Sequence, residues 1–312
     1  MYKTIFTTVL CAAFANAATY KLADSFDKTN FFDGFEFFSQ TDPTNGLVKY
    51  ANMQLANTSS LAGYAGESVF IGTESTPGAP PSSVRLESVK AWKKGLFIAD
   101  IKHMPGSACG VWPAFWTFAQ DKEWPNGGEI DIIENISMAS NNSVTLHTSA
   151  GCNMDSKGSA PVAKLQLPDC LGEGNTGCSI HSNVPNSFGT DFNNIGGGVY
   201  AMEWTSSSIS VYFFPRASIP ADIASGKPDP SKWGAPQAKF VGNTCDIDKY
   251  FSSHKIIFNT TFCGDWAGKK WKDNASCAVK AETCDAYVKN NPKAFTEAYW
   301  LINSVKVYQT SA

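Results

Sequence analysis

Gly127-Gly128-Glu129-Ile130-Asp131-Ile132-Ile133-Glu134-Asn135 alternates acid with isoleucine, the period-two pattern of a β-strand. In such a strand Glu129 and Asp131 share one face, and Ile130 and Ile132 share the other. Glu134 falls out of phase by one residue. A single β-bulge near Ile132-Ile133 returns it to the acidic face. Upstream lies the apolar run Val111-Trp112-Pro113-Ala114-Phe115-Trp116, and Trp124 stands just before the glycine turn. Acids in such surroundings are costly unless they line a cleft, so the pattern predicts a cleft rather than a solvated edge strand.

Short alternating runs recur on both sides of this segment. Strands are predicted at Val84 to Val89, Leu96 to Ile101, Ser143 to His147, Val199 to Trp204, Ile209 to Phe214, Lys255 to Thr261 and Tyr299 to Val307. Helical periodicity is confined to one short stretch, Ala278 to Lys289, ahead of Pro292. Many strands with turns between them predict an all-β fold, a β-sandwich or jelly roll. Gly151 to Gly198 and Pro215 to Asp248, rich in turn-forming residues, are predicted to be long surface loops. The GxGxxG pattern at Gly172, Gly174 and Gly177 has no strand before it and no helix after it, so it reads as loop chemistry, not a phosphate cradle.

The 312 residues are 43% hydrophobic, 13% aromatic and 17% charged, with a net charge of −3. That composition supports a large core and excludes disorder, a basic nucleic-acid surface and a polybasic membrane patch. Residues 1–17 have the layout of a secretory signal: Lys3, an apolar run from Thr4 to Phe14, then Ala15-Asn16-Ala17. One domain is expected over residues 18–312, secreted, extracellular, and monomeric by default. It keeps Cys109, Cys152, Cys170, Cys178, Cys245, Cys263, Cys277 and Cys284, an even set that points to disulfides. Local spacing favours pairing within Cys152/Cys170/Cys178 and between Cys277 and Cys284. With no CxxC and with His103, His147, His181 and His254 scattered, no zinc site is expected. Sequons stand at Asn57, Asn135, Asn141, Asn259 and Asn274.

With one residue absorbed by the bulge, the Cα atoms of Glu129 and Glu134 are about 13 Å apart. Side chains leaning together bring the carboxyls to about 5–6 Å, which favours the retaining spacing of a glycosidase pair over the inverting one. Asp131, between them, is placed to tune the nucleophile's charge.

These residues resemble the laminarinase-like endo-β-glucanases of glycoside hydrolase family 16, whose ExDxxE motif is matched by Glu129 to Glu134. The flanks agree: Trp112-Pro113-Ala114-Phe115-Trp116, Trp124-Pro125-Asn126-Gly127-Gly128, Thr145-Leu146-His147-Thr148 and Cys263-Gly264-Asp265-Trp266-Ala267-Gly268. The resemblance implies a concanavalin A-like jelly roll with a concave catalytic cleft. It implies Glu129 as nucleophile, Glu134 as general acid and base, and Asp131 assisting. It further implies His147 beside the cleaved sugar, Trp116, Trp124 and Trp266 as sugar platforms, and Asn126 as a substrate-binding residue. A polar position behind the sheet is the alternative for His147, and a core position for Trp116; Trp112 is assigned to the core. The bulged motif implies β-1,3-glucan as substrate, with action on mixed β-1,3/1,4-glucan, no cofactor and no metal. The sequon directly after Glu134 would crowd the cleft if modified, so Asn135 is expected to be bare. A transglycosylase using the same acids and a non-catalytic glucan-binding protein are the competing readings. No GxSxG elbow supports serine chemistry.

Overall fold

The alternation carries through to two large antiparallel sheets packed face to face. The computed structural model describes residues 19–160 and 163–310, so the leader expected over residues 1–17 lies outside the described residues. The first sheet has eight strands, in the order Lys164–Leu165, Cys178–His181, Ser143–His147, Glu129–Glu134, Val111–Phe118, Lys255–Phe262, Arg85–Ser88 and Phe35–Phe38. The second has nine and includes Gly95–His103, Gly198–Trp204, Ser208–Pro215 and Trp300–Thr310. Every segment read above as a strand is one, with ends shifted by a few residues.

Ile130, Ile132, Ile133, Val144, Leu146, Phe115 and Phe258 of the first sheet meet Phe97, Ile101, Met202, Trp204, Val211 and Val305 of the second in one core. Each such side chain contributes roughly 1.5–3 kcal/mol relative to exposure. The acidic strand therefore has one face committed to the core, and its acids are left on the other.

The predicted bulge is present, and Ile132 is the extra residue. Along the Val111–Phe118 strand, Trp116 faces Asp131 while its neighbour Phe115 faces Ile133. On the other side Thr145 pairs with Asp131 and Ser143 with Glu134, so Val144 alone spans Ile132 and Ile133. Glu134 thereby regains the face of Glu129 and Asp131.

Three expectations are corrected. Gly151 to Gly198 is no mere loop: its Cys178–His181 strand extends the acidic sheet. Pro215 to Asp248 carries the helix Ala221–Ala224 and the strand Ala238–Gly242, and its Ile219, Ile223 and Trp233 cover Ile98, Val199 and Tyr212 on the outer face of the nine-stranded sheet. Apolar residues too sparse for a pattern of their own suffice to lay these segments onto a sheet. The single helix from Ala278 to Lys289 is two short ones, Ala275–Ala278 and Cys284–Asn290, capped by the side chains of Asn274 and Thr283.

The disulfides follow space rather than spacing. Cys170–Cys178 forms as expected, but Cys152 pairs with Cys245. Cys277 and Cys284 do not pair with each other: Cys277 joins Cys109 and Cys284 joins Cys263. These last two bonds share a buried cluster with Phe262, Trp271, Val288 and Phe295, which fastens the two short helices to the end of the Lys255–Phe262 strand. Among the described residues no helix is long and apolar enough to cross a membrane. Peptide mapping without reduction is expected to recover Cys109–Cys277 and Cys263–Cys284 linked peptides; a Cys277–Cys284 peptide would contradict this packing.

Candidate active site

Backbone pairing sets which side chains share the acidic face. Glu134, Asp131 and Glu129 stand opposite Ala114, Trp116 and Phe118 on one side, and opposite Ser143, Thr145 and His147 on the other. Directly paired residues project to the same face. His147 is therefore beside Glu129, which excludes the position behind the sheet.

The chain enters this strand through Gly127 and Gly128, at φ +94° and +85°. A Cβ on Gly128 would lie 2.4 Å from the Phe251 ring, so the turn has room only for glycine. His254 anchors the turn: its Nε2–H donates to the Gly127 carbonyl at 2.8 Å, and the Thr117 hydroxyl donates to its Nδ1 at 3.0 Å. Burial pushes the imidazole down to about 4, which keeps it neutral. The sequence offered no sign of this role.

Each glutamate receives an indole N–H. Trp124 Nε1 donates to Glu129 Oε2 at 2.7 Å, and Trp112 Nε1 donates to Glu134 Oε1 at 2.7 Å. Trp112 is thus a site residue, contrary to its assignment to the core. It is half-buried on the acidic face because its position on the strand has the same parity as Trp116. Trp266 stands edge-on to it, with centroids 5.7 Å apart. Trp124 is exposed and lies 5.8 Å from the His147 ring. Trp116 is half-buried on the same face, bonded through Nε1 to Asn259 at 2.8 Å and stacked on Phe118. Asn126 is exposed in the turn, and its side chain bonds none of the acids among the described residues.

Arg85 is a neighbour that the sequence reading missed. Its guanidinium lies 4.3 Å from the Phe38 centroid and 5.0 Å from that of Trp116, and it bonds Glu87 through Nε and NH2 at 2.9 and 2.8 Å. The triplet Arg85-Leu86-Glu87 puts both charges on one strand face, a signal legible only once that strand is known to join this sheet.

His147 Nδ1–H donates to the Asn175 carbonyl at 3.0 Å, and its Nε2 lies 3.3 Å from the buried Asp131 Oδ2. Asn175 belongs to the Cys170–Cys178 loop, so the glycine-rich stretch cradles an imidazole. Gly177 there, at φ +71°, leaves no room for a Cβ, which would lie 2.9 Å from His147 Cε1.

Burial raises the proton affinity of all three acids, and the charge on Asp131 adds to it at both glutamates. Burial, then the charge on Asp131, pushes Glu129 up to about 8, opposed by His147, the Trp124 N–H and Arg85. Burial likewise raises Asp131, and burial followed by the Asp131 charge holds Glu134 well above the usual carboxylate range. Glu129, Asp131 and His147 bring ligand-type atoms within 4.8 Å of one another; Trp124 holds Glu129 through Oε2 and the Asn175 carbonyl holds His147 through Nδ1. The cluster is arranged to share protons: Glu134 meets the charges of both Asp131 and Glu129, whereas Glu129 meets that of Asp131 and has Arg85 as well as His147 favouring its charged form.

Three of the five sequons fall on side chains with hydrogen bonds of their own: Asn135, Asn259 and the helix cap Asn274. Asn259 is 7% exposed and its Nδ2 donates to the Tyr50 hydroxyl, so a glycan there would not fit. Asn135 Nδ2 donates to the Asn141 carbonyl at 2.9 Å.

A β-sandwich with a row of carboxyls and indoles across one sheet face defines a carbohydrate-active class of protein. The chain belongs to glycoside hydrolase family 16: residues 35–308 match the XgeA-like catalytic domain of that family. It is 45% identical over 302 residues to an endo-1,3(4)-β-glucanase of Arthroderma benhamiae, covering 94% of this chain and 65% of that protein. It is 43% identical over 301 residues to a probable glycosidase of Schizosaccharomyces pombe, covering 94% and 70%. The chain thus spans about two thirds of the length of these curated relatives. Among solved structures it is similar to an elongating family 16 β-1,3-glucosyltransferase, at 42% identity and a TM-score of 0.87, over 93% of this chain and all of that one. It is similar also to laminarinase 16A of Phanerochaete chrysosporium, determined with β-glucans in donor and acceptor sites, at 40% identity and a TM-score of 0.87, over 94% and 100%.

The raised carboxyls have a consequence for stability. The folded protein holds protons on them that the unfolded chain releases above about pH 4.3. The resulting stabilisation is present below that pH and lost as pH rises toward the folded-state value. Glu134→Gln, which keeps an acceptor for Trp112, is expected to raise the Tm at pH 7 by about 2–4 °C for each kcal/mol relieved, and to change it little near about pH 3.5. Thermal unfolding at the two pH values checks this; equal shifts at both would refute it.

Proposed function

We propose that the chain is a secreted, retaining endo-β-1,3(4)-glucanase with one catalytic domain over residues 18–312. The observation that carries this reading is the bulged strand, which puts Glu129, Asp131 and Glu134 on one face with an indole N–H on each glutamate. Names of the relatives support the substrate: several are endo-1,3(4)-β-glucanases or probable ones. Secretion rests on the leader-like residues 1–17 and on four disulfides, which persist in oxidising compartments.

In the first step the Glu129 carboxylate attacks the anomeric carbon while Glu134 donates its proton to the departing glycosidic oxygen. A glycosyl-enzyme ester forms, and the leaving chain departs as an alcohol. Glu134, now charged, takes a proton from water as it attacks the same carbon and frees Glu129. Asp131 and His147 ease the change of charge on Glu129, and Trp124 holds the carboxylate oxygen that does not attack. Trp116, Trp124 and Trp266 offer apolar faces for sugar rings, and Asn126, exposed beside the glycine turn, offers a polar side chain to the substrate.

Transglycosylation is the second reading, favoured by the likeness to the elongating glucosyltransferase. It differs only in the second step, where a sugar hydroxyl replaces water.

Mass spectrometry and proton NMR of products from laminarin and from mixed-linkage glucan test both readings. Wild type is expected to release oligosaccharides from both polymers with β-anomers appearing first. Glu129→Gln and Glu134→Gln are each expected to lose at least about 10²-fold in kcat. Products longer than the starting oligosaccharides would favour transfer; first-formed α-anomers would overturn retention.

A further inference from the structure

We propose that Asn142 is a positioning residue that clamps the bulge and so aims the Glu134 carboxyl, a role that rests on the functional reading above. A bulge disrupts the backbone ladder around its extra residue. Here the Ile132 carbonyl and the Glu134 N–H, on either side of Ile133, flank that disruption. Asn142 takes both: its Nδ2 donates to the Ile132 carbonyl at 2.8 Å, and its Oδ1 accepts from the Glu134 N–H at 3.0 Å. The residue is 1% exposed, so water does not substitute for either bond.

The clamp is itself held. The Asn142 N–H donates to Ser187 Oγ at 3.0 Å, and its carbonyl accepts from the Ser182 N–H at 3.0 Å. One residue earlier, the Asn141 carbonyl accepts from Asn135 Nδ2. Glu134 and the residue after it are therefore both tied to the turn that leads into Ser143–His147.

The primary amide presents one donor and one acceptor to this pair of groups. An ionised carboxylate offers acceptors alone, and an aliphatic side chain offers neither. Without the amide, two buried backbone groups lose their partners, and the ladder relieves that by shifting register around Ile132 and Ile133. Such a shift turns Glu134 relative to the acidic face. Glu129 is spared, because from Glu129 to Asp131 the pairing with Phe118 to Trp116 runs without interruption. Loss of the clamp therefore weakens proton donation to the leaving group and leaves nucleophilic attack intact.

That asymmetry gives the test. Asn142→Ala and wild type are compared on a laminari-oligosaccharide, whose sugar leaving group needs a proton, and on 2,4-dinitrophenyl β-laminaribioside, whose phenolate does not. Expected is a fall in kcat/KM on the order of 10²-fold on the oligosaccharide and of less than about threefold on the aryl glycoside. Azide, which needs no base, is expected to restore turnover of the aryl substrate by attacking the glycosyl-enzyme, giving laminaribiosyl azide and free Glu129. Equal losses on both substrates, or no loss on either, would overturn the clamp. Failure of wild type on both substrates would instead overturn the functional reading, and the clamp's role in catalysis with it. If Asn142→Ala does not fold, Asn142→Leu, which fills a similar volume and offers neither donor nor acceptor, is measured against the same criteria.

Discussion

Three carboxyl groups on one face of a strand whose other face is isoleucine form the constraint that the rest of the structure serves. The isoleucines are buried against the nine-stranded sheet, so the acids have no other side to occupy. With Asp131 buried, both glutamates half-buried and all three close together, they cost free energy that grows with the charge they carry. Indole N–H groups, an imidazole and a nearby guanidinium lower that cost without removing it. The remaining penalty raises proton affinity, and a glutamate that keeps its proton near neutral pH is what general acid chemistry requires.

The supporting groups come from distant parts of the chain, each fixed by its own device. A nine-residue loop closed by Cys170–Cys178 presents the carbonyl that orients His147. The Cys263–Cys284 bond precedes the turn Gly264–Gly268 and so fixes where Trp266 meets Trp112. Neutral His254 secures the glycine turn from below the sheet. Supporting residues locked by packing and hydrogen bonds keep a site's geometry narrow, and each side of this one has such a lock.

Much of this was legible along the chain because strand alternation is a local property. Ile130 and Ile132 against Glu129 and Asp131 announce two faces, and the misplaced Glu134 announces the bulge. Trp112 shows where local reading stops: its apolar character suggested the core, while parity with Trp116 along the strand puts it on the acidic face. Cys277 and Cys284 show the same limit. They are close in sequence, yet each lies nearer a cysteine brought in by another element.

The sequence by itself determined the sandwich class, the strand that carries the acids, the extra residue within it and the two glutamates. Side-chain period and composition suffice for these, since burial of one face selects the register. Only the tertiary structure decided what surrounds those acids: Trp112 on Glu134, Arg85 beside Trp116, the Asn175 carbonyl on His147 and the Asn142 amide on the backbone of the bulge. Those groups lie on other strands and loops, and no sequence pattern encodes which indole N–H will arrive within 3 Å of a carboxylate. That is settled by how the sheets and their connections pack.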